Sequence, residues 1–255
     1  MTIRSARSIP AGIGVVLALA SIAVASAADL KILSTVGVQT VVEVLAPQFE
    51  KKTGHKLEIS YGVSNIMKKQ IAAGESFDLA IMTSPVTDEL IQQGTVVATT
   101  RTDIAHGGIA IAVRAGAPKP DIGSVDALKR TLLAAKSIAY SKVGASGIYF
   151  AGLVERLGLA EALKPKTRYG TSDVGEMVAK GEAELGVQLT NELLPVRGVE
   201  IVGPLPPEVQ SYVTLTAAVG SHAKQPAIAE EFIRFLTAPA ALPVIRAKGL
   251  EPGGV

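Results

Sequence analysis

The amino-acid sequence predicts an α/β protein whose mostly parallel sheet is covered by helices. Three observations carry that prediction. Short apolar strands alternate with stretches of helical spacing, the connections are rich in Gly and small hydroxyl residues, and the core must be built from Val, Ile, Leu and Ala, since aromatics are only 4% and Trp is absent. Such alternation implies a mostly parallel sheet covered by helices.

The elements follow in order. Residues 30–33 and 56–61 read as short strands, and residues 77–82 form a compact apolar run after Gly74-Glu75-Ser76. Between the first two, residues 39–53 place Val41, Val42, Val44, Leu45 and Phe49 at helical spacing, and Gly54 stands where a helix C-cap belongs. Residues 65–73 form a second helix closed by Gly74. Residues 109–113 are another strand, followed by a loop with two prolines. Helices over 124–134 and 147–157 then flank a strand at 137–140. A short helix at 174–180, a strand at 185–189, a strand at 199–202 and the rigid Gly203-Pro204-Leu205-Pro206-Pro207 connector come next. An alternating strand at 212–219 and amphipathic helices at 226–236 and 240–248 end the chain.

The first residues have a separate meaning. Arg4 and Arg7 precede an uncharged run from Ile13 to Val24, and Ala25-Ser26-Ala27 precedes Ala28 and Asp29. That is the order of a secretory signal peptide, expected to be cut after Ala27; the run is shorter than the ~20 residues a membrane span needs. Residues 28–255 are thus expected to act in the periplasm. The leader carries two of the 25 basic residues and none of the 23 acidic ones, so the mature chain is formally neutral. No broad electrostatic footprint for nucleic acid or anionic lipid is present. With no Cys there are no disulfides, thiolate sites or N-terminal lipid anchor. The scarcity of aromatics argues against carbohydrate binding, and the remaining length suits one large domain or two small lobes.

Four loops stand out. Ser34-Thr35-Val36-Gly37, Gly62-Val63-Ser64-Asn65, Thr83-Ser84 and residues 141–147 each follow a strand and mostly precede a helix. In open α/β sheets ligands bind beyond the carboxyl ends of strands, where helix N-termini present free N–H groups. Any one such loop is equally explained by ordinary caps and turns. Their convergence points to a small anion held by neutral donors.

Further motifs carry a resemblance. Residues 45–54 (LAPQFEKKTG), Gly62-Val63-Ser64-Asn65 with residues 70–74, Phe77-Asp78-Leu79-Ala80-Ile81, Gly147-Ile148-Tyr149, Asp173-Val174, Leu185-Gly186-Val187 and residues 232–236 resemble the molybdate-binding protein family of ABC transporters. The resemblance covers nearly the whole mature chain. It implies a type II periplasmic binding protein: two lobes, 28–108 plus 213–255 and 109–212, with two hinge crossings and the ligand in the cleft. It implies a permease in the inner membrane as partner; a monomer is expected, with no cofactor and no metal. The ligand-binding residues it and the loops point to are Val36, Gly37, Ser64, Asn65, Thr83, Ser146, Gly147, Val174 and Gln188. Two family contacts are missing: a Ser aligns with Gly37, and the site-closing Tyr with Leu189. The expected ligand therefore widens from molybdate to a molybdate-like oxyanion or a small carboxylate, which Gln188 and the nearby Lys142 would suit.

Enzyme chemistry has little foothold. His55, His106 and His222 lie in no catalytic motif, and H-E-x-x-H, P-loop and G-x-S-x-G patterns are absent. The alternative to binding is a cofactor-free isomerase of a small unsaturated polycarboxylate. It would need one group to move a proton beside a carboxylate, with Lys142, His106 and Tyr140 as candidates. A secreted structural or adhesive domain would leave the small-residue loops without a purpose.

Overall fold

In the computed structural model, residues 28–254 are described; the leader and its cleavage point lie outside them. Strand β1 (Asp29–Thr35) pairs in parallel with β2 (Lys56–Gly62), and helix α1 (Gln39–Thr53) crosses between them. The buried stripe of α1, Val41, Val42, Leu45, Ala46 and Phe49, is the one its spacing predicts, and Gly54 ends it with φ 80°. Helix α2 (Ser64–Ala72) leads to β3 (Leu79–Thr83), buried throughout, and α3 (Ser84–Gln92) follows at once.

The long strand β4 (Thr102–Arg114) begins a second half: α4 (Val125–Ala134), β5 (Ile138–Ser141), α5 (Ala145–Arg156), α6 (Ala160–Leu163), β6 (Thr167–Gly170), α7 (Val174–Lys180), β7 (Leu185–Leu189), α8 (Thr190–Leu193) and β8 (Val199–Pro204). The chain returns through β9 (Tyr212–Val219) and closes with α9 (Pro226–Thr237), α10 (Leu242–Ala247) and β10 (Glu251–Pro252).

The strands run β2-β1-β3-β9-β4-β7-β5-β6, with β8 and β10 both on β4. Parallel pairing is confined to the flanks, β1 with β2 and β3, and β5 with β6 and β7. The middle is antiparallel, because β4 and β9 carry the chain between halves. β4 changes partners along its length, pairing with β9 up to Gly108 and with β7 from Ile109. Gly107 sits at this switch, where a Cβ would lie 3.1 Å from Leu189 Cδ1 and 3.2 Å from Leu250 Cδ2.

The two largest core clusters lie one in each half. One packs Leu30, Ile32, Phe49, Ile81 and Phe232, with Phe49 and Phe232 rings edge to face at 5.0 Å. The other packs Ile111, Leu128, Phe150 and Val187. This is the two-lobed α/β architecture, and its cleft lies where the carboxyl ends of β1, β3, β5 and β7 converge.

Candidate functional site

A cavity with about 30 Å³ of open space lies between the two halves. On the first wall the Thr35 hydroxyl accepts the Gly37 N–H at 3.3 Å, fixing the turn after β1. Ser64 opens α2, and its buried Oγ accepts the Thr83 N–H at 3.0 Å. Because that bond uses a lone pair, the Ser64 hydroxyl proton stays available to a ligand. Asn65 spans the cleft, its Nδ2 donating to the Val143 carbonyl at 2.9 Å.

On the second wall Ser141 closes its own loop, accepting the Gly144 N–H at 2.8 Å. Ser146 lies buried in the first turn of α5, whose N-cap Gly144 offers no side chain to the free N–H groups there. Gln188 donates to the Ser172 carbonyl at 3.0 Å, while its Oε1 is buried without a partner. Asn191, fully buried, donates to the Gly37 carbonyl at 2.8 Å and so makes a second tie across the cleft. Glu192 completes this wall. Burial pushes its carboxyl up to about 7, against the lowering effect of the Leu189 N–H and the Gln188 side chain.

Seven of the nine residues expected to bind a ligand line this cavity: Val36, Gly37, Ser64, Asn65, Thr83, Ser146 and Gln188. Gly147 and Val174 do not. Gly147 packs so closely on β5 that a Cβ would fall 1.8 Å from the Ser141 carbonyl oxygen. Val174 is fully buried in a small core with Ala139, Val178 and Ala183.

None of the three isomerase candidates lines the cavity. Lys142 is exposed, its Nζ 5.5 Å from the Tyr169 ring centre. His106 shares a 2.9 Å hydrogen bond with the Thr214 hydroxyl. Tyr140 is buried against Phe150 and Tyr169, and that burial pushes its phenol up to about 12. The one acid in the wall, Glu192, was not anticipated from sequence, and neither were Thr171 and Ser172.

The two family contacts missing from the sequence turn out to be neighbours. A Cβ at Gly37 would stand 3.0 Å from Leu215 Cδ2 and 3.6 Å from Leu189 Cδ1. Leu189, Leu215 and Val213 add apolar side chains to a lining otherwise rich in hydroxyl and amide groups. Among the described residues no cluster of three or more His, Asp or Glu is placed to hold a metal, and no helix is long and apolar enough to cross a membrane.

Comparison with known proteins agrees with this architecture. The chain is 36% identical over 230 residues to an aconitate isomerase of Pseudomonas, covering 88% of this chain and 87% of the relative. It is 28% identical over 232 residues to the molybdate-binding protein ModA of Azotobacter vinelandii, covering 88% and 90%. Among solved structures, the Azotobacter vinelandii periplasmic molybdate-binding protein superposes with TM-score 0.74 at 23% identity, covering 87% of this chain and 98% of that one. A sulfate-binding protein of Mycobacterium tuberculosis superposes with TM-score 0.76 at 17% identity, covering 89% and 88%. The pattern of the bacterial extracellular solute-binding proteins matches residues 30–251, and the chain belongs to that family.

Proposed function

We propose that this protein is a periplasmic solute-binding component of an ABC importer that takes a small carboxylate into its interlobe cleft. It is exported by its leader, cut after Ala27, and the lobes hinge where the chain crosses near Gly108 and Tyr212. The observation that carries the ligand class is the mixed lining of the cavity. Hydroxyl and amide groups of Ser64, Asn65, Ser146 and Gln188 supply polar partners, while Leu189, Leu215 and Val213 add apolar side chains. A tetrahedral metal oxyanion has oxygen on every side and gains nothing from apolar groups; a carboxylate on a short carbon skeleton presents both polar and apolar surface. Specificity of this kind follows from the cost of desolvating an oxygen without a partner.

A second reading is favoured by the aconitate isomerase relative together with a carboxyl of near-neutral pKa in the wall. In that reading the cleft shifts a proton within an unsaturated polycarboxylate, and Glu192, rather than Lys142, His106 or Tyr140, is the group within reach. One experiment separates the two. The purified protein is screened by thermal shift against di- and tricarboxylates, molybdate, tungstate and sulfate, and the carboxylates that stabilise it are followed by NMR. Stabilisation by an unchanged carboxylate supports the importer reading, and catalytic conversion replaces it with the isomerase. Stabilisation by molybdate or sulfate alone overturns the carboxylate assignment.

A further inference from the structure

Among the described residues, the cavity wall holds a single titratable side chain, and it is an acid. Apart from Glu192 the lining consists of hydroxyl, amide, backbone and apolar groups, with no Lys, Arg or His to offset a second negative charge. Glu192 also lines an open groove of about 600 Å³ on its other side, between α1 and α7. It thus lies, with Val36 and Ser172, between the cavity and the groove. The charged groups that share the groove are Glu43 of α1, Glu176 and Lys180 of α7, and Arg197 beyond α8. None of them forms an ion pair with Glu192.

An anion entering a low-dielectric chamber beside an ionised carboxylate is repelled, and the carboxylate escapes this by taking a proton. We infer that Glu192 receives the carboxylate ligand as a neutral acid, donating a hydrogen bond to a ligand oxygen and drawing its proton from solvent through the groove. The inference rests on the carboxylate reading given above. One proton is taken up per ligand bound, and no covalent bond to the ligand forms or breaks. Burial already holds the free carboxyl near neutrality, so uptake is expected above pH 7 and not far below it. Glu192 then determines specificity: it accepts ligands that offer a hydrogen-bond acceptor at this point of the wall.

The test is isothermal titration calorimetry with aconitate and succinate, in pairs of buffers with unlike heats of ionisation, between pH 7.5 and 8.5, where carboxylates are ionised. Wild type is expected to take up close to one proton per ligand, with affinity falling up to about tenfold per pH unit. Glu192→Gln keeps the neutral donor, so it should bind with no uptake and a flat pH profile. Binding by wild type without uptake, or uptake that persists in Glu192→Gln, overturns the role of Glu192 and leaves the carboxylate reading standing. No heat with either carboxylate overturns both. Should the variant fail to fold, the wild-type profile decides, since uptake must rise between pH 6.5 and 8.5 along one curve centred near 7.

Discussion

Asn191 offers a way to separate closure of the lobes from stability of the fold. Its Nδ2 donates to the Gly37 carbonyl across the cleft at 2.8 Å, in a place with no exposure to solvent. Asn191→Ala deletes the donor and leaves a buried carbonyl unpaired, which costs about 1–3 kcal/mol. Part of that is offset, because the wild-type Asn191 Oδ1 is itself buried without a partner and disappears with the substitution. A net loss of about 1–2 kcal/mol remains. On the proposed hinge motion the bond exists only while α8 and the turn after β1 face each other, so the loss falls on the closed state. Apparent affinity scales with the closed fraction, which predicts a 5- to 30-fold weaker dissociation constant. Calorimetry with the carboxylate found in the thermal-shift screen measures that change. Urea unfolding supplies the opposing result. An unaltered affinity together with an unfolding free energy lower by the same 1–2 kcal/mol would assign the bond to folding and refute its part in closure.

Other substitutions test separate parts of the structure. Ser64→Ala removes both a cavity-lining hydroxyl and the acceptor of the Thr83 N–H, so affinity should weaken by about 0.5–3 kcal/mol in calorimetry without unfolding the protein; unaltered affinity would place the ligand elsewhere. Asp78 is buried and accepts backbone N–H groups of Lys31, Lys224 and Gln225 at 2.9, 2.6 and 3.1 Å. Asp78→Ala should therefore cost about 3 kcal/mol and lower the melting temperature by roughly 6–12 °C, read by calorimetric scanning. Gly147→Ala forces a Cβ to within 1.8 Å of the Ser141 carbonyl, with an expected loss of about 3 kcal/mol or more. Gly152→Ala, where only the Arg156 guanidinium lies near at 3.4 Å, should be neutral or stabilising by about 0.5–1 kcal/mol; equal unfolding midpoints for the two would refute the packing account.

Periodicity made most of the fold legible. The stripe of α1, the cap at Gly54 and the apolar runs of β3 and β7 match their residues closely, because each is fixed by local pattern and burial together. The first half of β4 was hidden, since Asp103, His106, Gly107 and Gly108 break any apolar run and the strand exists through its pairing with β9 and β10. Helix α3 was equally unread, although Pro85 in its first turn and Gly94 after its end are ordinary helix signals. The loops that follow strands were visible as sites because their chemistry is local. Gly147 and Val174 belong to the same motifs as true lining residues, but one is spent on close packing and the other on a core. Glu192 had no local signature at all: nothing in Thr190-Asn191-Glu192-Leu193 says that this one carboxylate turns into the cleft while its groove neighbours Glu43 and Glu176 do not line the cavity.

The departures from the molybdate-binding pattern gain a different meaning in three dimensions. Counted along the chain, Gly37 and Leu189 are two independent losses from a site otherwise preserved. In the structure they are neighbours, because a Cβ at residue 37 would stand 3.0 Å from Leu215 Cδ2 and 3.6 Å from Leu189 Cδ1. A serine at residue 37 would therefore require the Leu215 side chain to give way by a few tenths of an ångström. Asn191, two residues on from Leu189, holds the Gly37 carbonyl and so fixes the turn in this arrangement. Glu192, the next residue, adds an acid where a site for a fully ionised oxyanion would place none. An apolar lining residue, the cross-cleft tie and the acid follow one another along residues 189–192, so on the proposed carboxylate reading this short segment, rather than the loops that carry the resemblance, sets which anion the cleft accepts.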